Sequence, residues 1–503
     1  MRSDSIPIIF GIKLKELREQ AGLSATDLAQ RAGLSVSYLT EIEKGRKYPK
    51  TEKIFQLTEA LDTSFDDLVS LKLGQRLNPL ATLLDSPMFR DLPLRLFGIS
   101  QSDIFELMTR APVEVATLVQ TLVELARGYD MGVEQFFHAL LRSYQQAHDN
   151  YFDDLETLAR ECAQELAIGP GGSGLARLCE VLEREYGVQV LADGLAGQPE
   201  LAGVRAVLSA EPERLLLNPA LEPSQRAFQA ARELAFRRLK VKERSRVSPP
   251  PHAESFDEVL NDFRASYVAS AIVLPEQPMV EALRGFFALP QWDPQAFAQL
   301  IAERGVSAEM LFYRMSQLIP RHLGLGQIHF LRFSEPLADN YHLTKQLNLS
   351  GVLIPTGIGL HEHYCRRWLS IQVLRDLQRQ RTEGDGDAPV IGAQISNFMN
   401  SDAQFFCIAA AVPQTLNPAA GISLTLGFRV TPQLRRKVKF LDDPAIARDN
   451  LNETCERCPL SPAECAQRAA APMLAQAKAR EAERERTLQR LIAGGPAALA
   501  DSA

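Results

Sequence analysis

Residues 10–72 constrain the fold more than any other stretch, because they read as five short helices parted by turn signals at Gly22, Gly33 and Gly45-Arg46. Ser24 caps one of these helices, with Asp27 three residues on in a capping-box-like start. That helix, ATDLAQRA, ends at Gly33, which supplies a tight turn, and Ser35 caps the next, VSYLTEIEK. The spacing puts Leu28, Ala29, Leu39 and Ile42 on inward faces and leaves Ser37, Tyr38, Thr40 and Glu41 pointing outward. Two capped helices joined by such a turn predict a helix-turn-helix, whose second helix enters the DNA major groove with its N-terminal half. Lys44, Arg46, Lys47 and Lys50 follow as a local basic cluster suited to phosphates. The expected DNA-contacting set is Ser35, Ser37, Tyr38, Thr40, Glu41, Lys44, Arg46 and Lys47. A single domain of this kind binds a half-site weakly, so a homodimer on a pseudo-palindromic double-stranded operator is expected.

The remainder of the 503 residues is too long for one core. The expected fold class is multidomain, mainly α with α+β. A helix-turn-helix bundle over 1–75 leads through a helical connector over 76–165, broken by Gly169-Pro170-Gly171-Gly172. An α+β region over 170–325 carries short strand candidates in VQVLAD, RAVLSA and RLLLN, with KVKERSRVSPPPHAES read as a loop. A mixed β/α region over 326–470 holds β-like runs in IHFLRF, QFFCIAAAV and GISLTLGFRV around a helix, CRRWLSIQVLRDLQRQ. The Ala-, Arg- and Glu-rich 471–503 reads as a helical or disordered tail. Net charge is −7, so the chain as a whole is no generic polyanion binder and any nucleic-acid contact must be local. No run approaches the roughly 20 apolar residues that cross a bilayer, and the N-terminus lacks a cleavable leader pattern. A cytoplasmic location without membrane contact is expected.

The pattern LAxxxGLSxxYLxxIEKGRxxP stands nearly complete in the N-terminal segment, which resembles the phage-repressor-like (Xre) helix-turn-helix family. The string RAFQAARELAFRRL resembles the core helix of the ImmA/IrrE family, fused in many bacteria to this type of helix-turn-helix. In that family the helix carries His-Glu-x-x-His, two zinc ligands around a general base. Here the histidine positions hold Arg232 and Phe236, and only Glu233 remains. Downstream, DFRASYVASAIVLPE resembles the family's Asn-x-Phe-Ala segment with Ser266 at the Asn position. Arginine does not deprotonate into a ligand and phenylalanine has no donor atom. The middle region is therefore expected to hold no zinc and to have no catalytic residues, serving as a scaffold or ligand pocket, and Glu233 is expected to be a surface or ion-paired residue on a core helix.

Seven cysteines are too few for a disulfide scaffold. Cys455 and Cys458 lie three apart, Cys465 follows after six residues, and Cys365 sits upstream before Arg366-Arg367-Trp368. Four soft thiolate ligands suit zinc or an iron–sulfur cluster. Cys162, Cys179 and Cys407 read as buried small hydrophobes, and His361 and His363 as solvated loop residues that become reserve ligands only if three cysteines hold the centre. The C-terminal pattern, with Gln467, Arg468 and Ala469 after Cys465, resembles the short-chain fatty-acyl transcriptional regulators. It departs from them in a longer loop before Cys465 and in Arg366 where they have proline. The resemblance implies a 4Fe-4S cluster on Cys365, Cys455, Cys458 and Cys465, with zinc as the alternative, and a short-chain acyl-CoA effector.

The reading is a sequence-specific transcriptional regulator that senses a small ligand or redox state through its C-terminal cysteines. Two other classes stay open at this point: a metallo-endopeptidase of the ImmA/IrrE type acting on a repressor partner, and an antitoxin-like adaptor.

Overall fold

The computed structural model describes residues 6–70, 133–167, 174–337 and 340–467, apart from Pro251, residues 353 and 355–361, Asp385, Asn400 and Pro462, with a few single positions elsewhere. Most of the expected connector, the glycine-rich break at 169–172, His361, Arg468, Ala469 and the tail lie outside the described residues. The chain divides into two compact units, residues 1–144 with 252–260, and 145–251 with 261–503. The regions read as separate domains at 170–325 and 326–470 fall in the second unit apart from 252–260.

The first unit opens with α1 (Ile6–Gln20), α2 (Ala25–Arg31), α3 (Val36–Glu43), α4 (Thr51–Leu61) and α5 (Phe65–Val69). Local chemistry sets three of these starts. Ser24 and Asp27 exchange hydrogen bonds in a full capping box, and Ser35 and Ser64 accept from the backbone amides of Tyr38 and Asp67. Gly33 turns the chain between α2 and α3 at a φ of +62°, where a side chain would be strained. Phe10, Leu14, Leu28, Leu39, Ile42, Ile54, Leu57 and Leu68 form the core. A Cβ on Gly11 would run into the Ile42 carbonyl, so α1 and α3 approach closely only because residue 11 has no side chain. Arg18 clamps the Glu43 carboxylate with Nε at 2.6 Å and Nη2 at 3.1 Å, fixing the end of α1 against the end of α3. α6 (Val133–Ala147) spans the division between the units.

The second unit continues with α7 (Asp153–Glu165) and α8 (Leu175–Tyr186). A four-stranded sheet follows, built from β1 (Gln189–Leu191), β2 (Ala206–Leu208), β3 (Arg214–Leu217) and β4 (Val247–Ser248) in the order β1-β3-β2-β4. The three strand candidates appear as β1, β2 and β3. β4 corrects the loop expected over KVKERSRVSPPPHAES: Val247 and Ser248 pair with Val207 and Ala206 just before the prolines remove further amide donors. α9 (Pro223–Arg238) carries Ala227, Ala230, Ala231 and Ala235 on its buried faces, small enough to seat it closely against α8 and the sheet.

α10 (Phe256–Val273) also spans the division, and α11 (Glu276–Phe287), α12 (Pro294–Glu303) and α13 (Ala308–Leu323) complete the helical layer. Arg314 on α13 is fully buried, and Glu156 on α7 receives two of its N–H groups at 2.6 and 2.9 Å.

The six-stranded sheet comprises β5 (Ile328–Leu337), β6 (Asn340–Asn348), β7 (Val390–Phe398), β8 (Gln404–Gln414), β9 (Asn417–Arg429) and β10 (Ala447–Leu451), ordered β10-β7-β8-β9-β5-β6. All neighbours are antiparallel except β10 and β7. α14 (Leu369–Glu383) lies over one face through Leu369, Val373, Leu374 and Leu377, and α15 (Pro432–Lys437) follows β9. β5, β8 and β9 match the apolar runs of the sequence. β6, β7 and β10 are additions, since YHLTKQLN, VIGAQISNF and ARDNL mix polar residues into their strands. No helix among the described residues is long and apolar enough to cross a membrane.

Candidate nucleic-acid interface, vestigial metal cleft and cysteine cluster

α3 presents Val36, Ser37 and, on the next turn, Thr40 and Glu41. Ser35 is a cap before it is a DNA contact, because its hydroxyl accepts the Tyr38 amide at 3.1 Å. Tyr38 is half-buried against the core and lies beneath the Lys47 ammonium at 5.8 Å, so one ring supports both the helix and a phosphate-seeking cation. The Thr40 hydroxyl donates to the Val36 carbonyl at 2.8 Å, and Arg46 meets Glu41 at 3.4 Å. Lys44 caps the end of α3, and Lys47 and Lys50 are exposed. Sequence reasoning missed Val36. It is 42% exposed at the first position of α3, where an apolar side chain suits a thymine methyl group. Its signal was an apolar residue standing between two serines, outside the inward spacing.

The positions that align with the His-Glu-x-x-His motif in the second unit carry a salt-bridge assembly. Glu233 receives Arg244 through both terminal nitrogens, at 2.6 and 3.0 Å, and Arg237 through Nε at 2.7 Å. Arg237 also reaches Glu213 at 3.0 Å. The Phe236 ring, at the second histidine position, lies between the guanidiniums of Arg232 at 4.9 Å and Arg244 at 4.6 Å. Arg232, at the first, pairs with Asp262 on α10. These residues do not fit zinc: the two positions that would supply nitrogen donors offer a cation and a hydrocarbon ring. Glu233 is tied up by two guanidiniums rather than poised over a water. Ser266 is half-buried on α10. Arg244 was invisible to motif reasoning because it comes from a loop eleven residues beyond Glu233.

In the C-terminal region the segment at 363–365 runs antiparallel to 453–455. Tyr364 bridges Thr454, the Cys365 amide donates to the Glu453 carbonyl at 3.3 Å, and the Cys455 amide to the His363 carbonyl at 2.8 Å. Trp368 adds an indole N–H to the Asn452 carbonyl at 2.7 Å. This pairing sets the Cys365 thiol beside Cys455 and Cys458. Burial, with a smaller contribution from those two neighbours, pushes it up to about 11. Arg367 reaches the Glu464 carbonyl at 3.1 Å, drawing the Cys465 segment to the same loop. The donor chemistry, four soft sulfurs on three adjoining segments, fits an iron–sulfur or zinc centre. Among the described residues, however, no three His, Cys, Asp or Glu side chains converge as a closed metal site. His363 is engaged elsewhere, its Nδ1 lying 2.8 Å from the Glu456 carboxylate. Arg366, at the family's proline position, stacks over Tyr341 at 4.5 Å. Cys162 and Cys407 are buried, and Cys179 is half-buried.

Beside Trp368, a small cavity between α14 and the sheet is lined by Leu331, Val352, Phe398 and Leu451, with His329, Ser370, Ser396 and Thr425 as its polar groups. Burial pushes the His329 imidazole down to about 4, so it is neutral there, and its Nδ1 lies 3.1 Å from the Ser350 hydroxyl.

Two family models match the chain, a helix-turn-helix over residues 14–68 and an IrrE N-terminal-like domain over residues 184–316. An uncharacterized HTH-type transcriptional regulator of Sinorhizobium fredii, y4dJ, is 32% identical over 62 residues, 12% of this chain and 80% of that protein. The chain belongs to the helix-turn-helix transcriptional regulators. The HTH-type transcriptional regulator PrpR of Mycobacterium tuberculosis is 26% identical over 248 residues, 45% of this chain and 47% of that protein. The Propionyl-CoA carboxylase regulator of Cereibacter sphaeroides is 24% identical over 332 residues, 61% and 64% of the two chains. This regulator thus spans about half of the first of these two relatives and less than two-thirds of the second.

Proposed function

We propose that this chain is a cytoplasmic, sequence-specific DNA-binding regulator that acts as a homodimer and changes its operator affinity with the state of its C-terminal region. The observation that carries the reading is the Ser35-capped α3 with its exposed N-terminal turn, followed directly by Arg46, Lys47 and Lys50. Ser37, Tyr38 and Val36 read base edges, and the cations take phosphates. The middle region is a scaffold and not a peptidase, since Glu233 is neutralised by Arg237 and Arg244.

Cys365, Cys455, Cys458 and Cys465 would hold a 4Fe-4S cluster, or zinc in its place. A bound cluster supplies one-electron redox chemistry. The chain's own contribution is to tie segments about ninety residues apart, 363–365 and 453–455, so that release of the thiols loosens both. The effector we favour is a short-chain acyl-CoA. This draws on the name of the Cereibacter sphaeroides relative. Such an effector acts only through different affinity for two arrangements of the dimer.

The test is operator selection from random duplexes, followed by binding titrations over a range of salt. Lys47→Ala, which removes one phosphate contact from each protomer of the dimer, is expected to reduce the log–log salt slope by about 2 with little change in sequence preference. Ser37→Ala is expected to relax preference at one position. No selected sequence, with a salt slope unchanged by Lys47→Ala, would overturn the reading. Anaerobic purification of wild type and Cys458→Ser, with iron, sulfide and zinc analysis, tests the cysteine centre separately. Absence of metal from the wild type would remove the centre and leave the DNA-binding proposal intact.

A further inference from the structure

The cleft between α9 and strands β2 and β4 keeps the position of a peptidase active site but has inverted its charge preference. Its polar lining comes from Gln229, Arg232, Glu233, Ser245, Arg246 and Ser248. Arg232 is only 7% exposed, and among the described residues the one acceptor that meets its guanidinium is Asp262, through Nη2. Nε and Nη1 have no protein acceptor, and neither is fully sealed from solvent. Gln229 sits one helical turn earlier on the same face, is 4% exposed, and its Oε1 has no partner.

The surrounding charge is positive. Arg205, Arg232, Arg237, Arg244 and Arg246 stand against Glu213, Glu233, Asp262 and Glu309, five cations to four acids. Burial pushes Arg232 down to about 10. That net value already includes the opposing charge of Glu233 and the smaller contributions of the Arg244 and Arg205 guanidiniums. A chain of net charge −7 has thus concentrated cations where a zinc-binding relative would concentrate neutral or anionic ligands. A metal cation entering this cleft meets repulsion, whereas an oxyanion meets donors already held in place.

We propose that this cleft binds a small oxyanion, a carboxylate or a phosphate group, on Arg232 and Arg246, with Gln229 and the Ser248 hydroxyl as the remaining partners. Arg246 is half-exposed at the mouth. Its protein contacts are the Ser209 carbonyl at 3.1 Å and Glu213 at 3.9 Å, so it can turn onto a ligand without unmaking the core. The occupant bridges α9 to β4, an edge strand of only two residues, and would stiffen that junction.

The test is a thermal-unfolding series on the full chain at constant ionic strength, with inorganic phosphate or acetate replacing chloride. A saturable rise in midpoint is expected for one of the two anions, with a dissociation constant on the order of 1 mM, as befits a single-headed ligand. The responding anion identifies the source chemistry. Arg246→Ala, which leaves the buried assembly in place, is expected to weaken binding at least about tenfold, the loss of one charge-assisted hydrogen bond. Ser248→Ala is expected to weaken it less. No saturable response to either anion up to about 100 mM, a hundredfold excess over that constant, would overturn the proposal. So would a response that Arg246→Ala leaves unchanged, or a zinc-dependent rise in midpoint.

Discussion

Glu233→Gln separates a structural carboxylate from a catalytic one in a single protein. Glu233 is 5% exposed and accepts three charge-assisted hydrogen bonds, at 2.6, 2.7 and 3.0 Å, from Arg244 and Arg237. Glutamine keeps the shape but removes the charge, and its NH2 group faces guanidinium donors. Breaking a fully buried ion pair costs about 3–5 kcal/mol, mostly because the partner stays charged and unpaired. Here the partners retain outlets. Arg244 is 12% exposed and stacks on Phe236, and Arg237 is 21% exposed and keeps Glu213. Discounting for that solvent access gives about 2–3 kcal/mol. With a midpoint shift of about 2–4 °C per kcal/mol for a large unit, the transition should fall by about 4–12 °C. Calorimetry on the full chain resolves a shift of this size, and a peptide-cleavage assay run alongside with added zinc should read zero for wild type and variant alike. A variant with an unchanged midpoint, together with wild-type cleavage that the variant abolishes, would refute the reasoning and restore a peptidase.

Two further outcomes follow from the buried groups. Arg314 is fully buried and gives N–H groups to both oxygens of Glu156, so Glu156→Gln should destabilise by about 3–5 kcal/mol while Glu156→Leu with Arg314→Leu recovers much of the loss in the same denaturation assay. Burial pushes the Glu156 carboxyl up, but the hydrogen bonds and charge of Arg314, with the Tyr267 hydroxyl, hold it lower overall than an ordinary glutamate. The stabilisation it contributes is therefore present above the unfolded value, about pH 4.3, and is lost as pH falls through the lower folded value. An acid titration of stability in which the double variant loses as much as wild type over that window would refute it. Ser35→Ala removes the cap of α3 and should cost the helix-turn-helix unit about 1 kcal/mol, visible as a lower unfolding midpoint and weaker operator binding even though most base-reading side chains are untouched.

The elements legible in the sequence are those whose cause lies within about four residues. Ser24 with Asp27, Ser35 with the Tyr38 amide, and Gly33 at positive φ act over such distances, so the helix-turn-helix could be read directly with its inward and outward faces. The loss of zinc ligands was legible for the same reason, since Arg232 and Phe236 occupy fixed positions one turn apart on α9. Sequence spacing also grouped Cys365, Cys455, Cys458 and Cys465 as a proposed ligand set. Only the tertiary structure decided what these residues meet. Arg244 arrives at Glu233 from a loop, Asp262 reaches Arg232 from another helix, and Cys365 meets Cys455 because 363–365 pairs with a segment about ninety residues later. β4, β6, β7 and β10 were likewise settled by their partners. A strand with mixed side chains has weak intrinsic preference, and cross-strand hydrogen bonds and burial supply the rest. The physical division is between interactions the backbone brings together locally, which composition and spacing encode, and those that exist only once distant segments are held side by side.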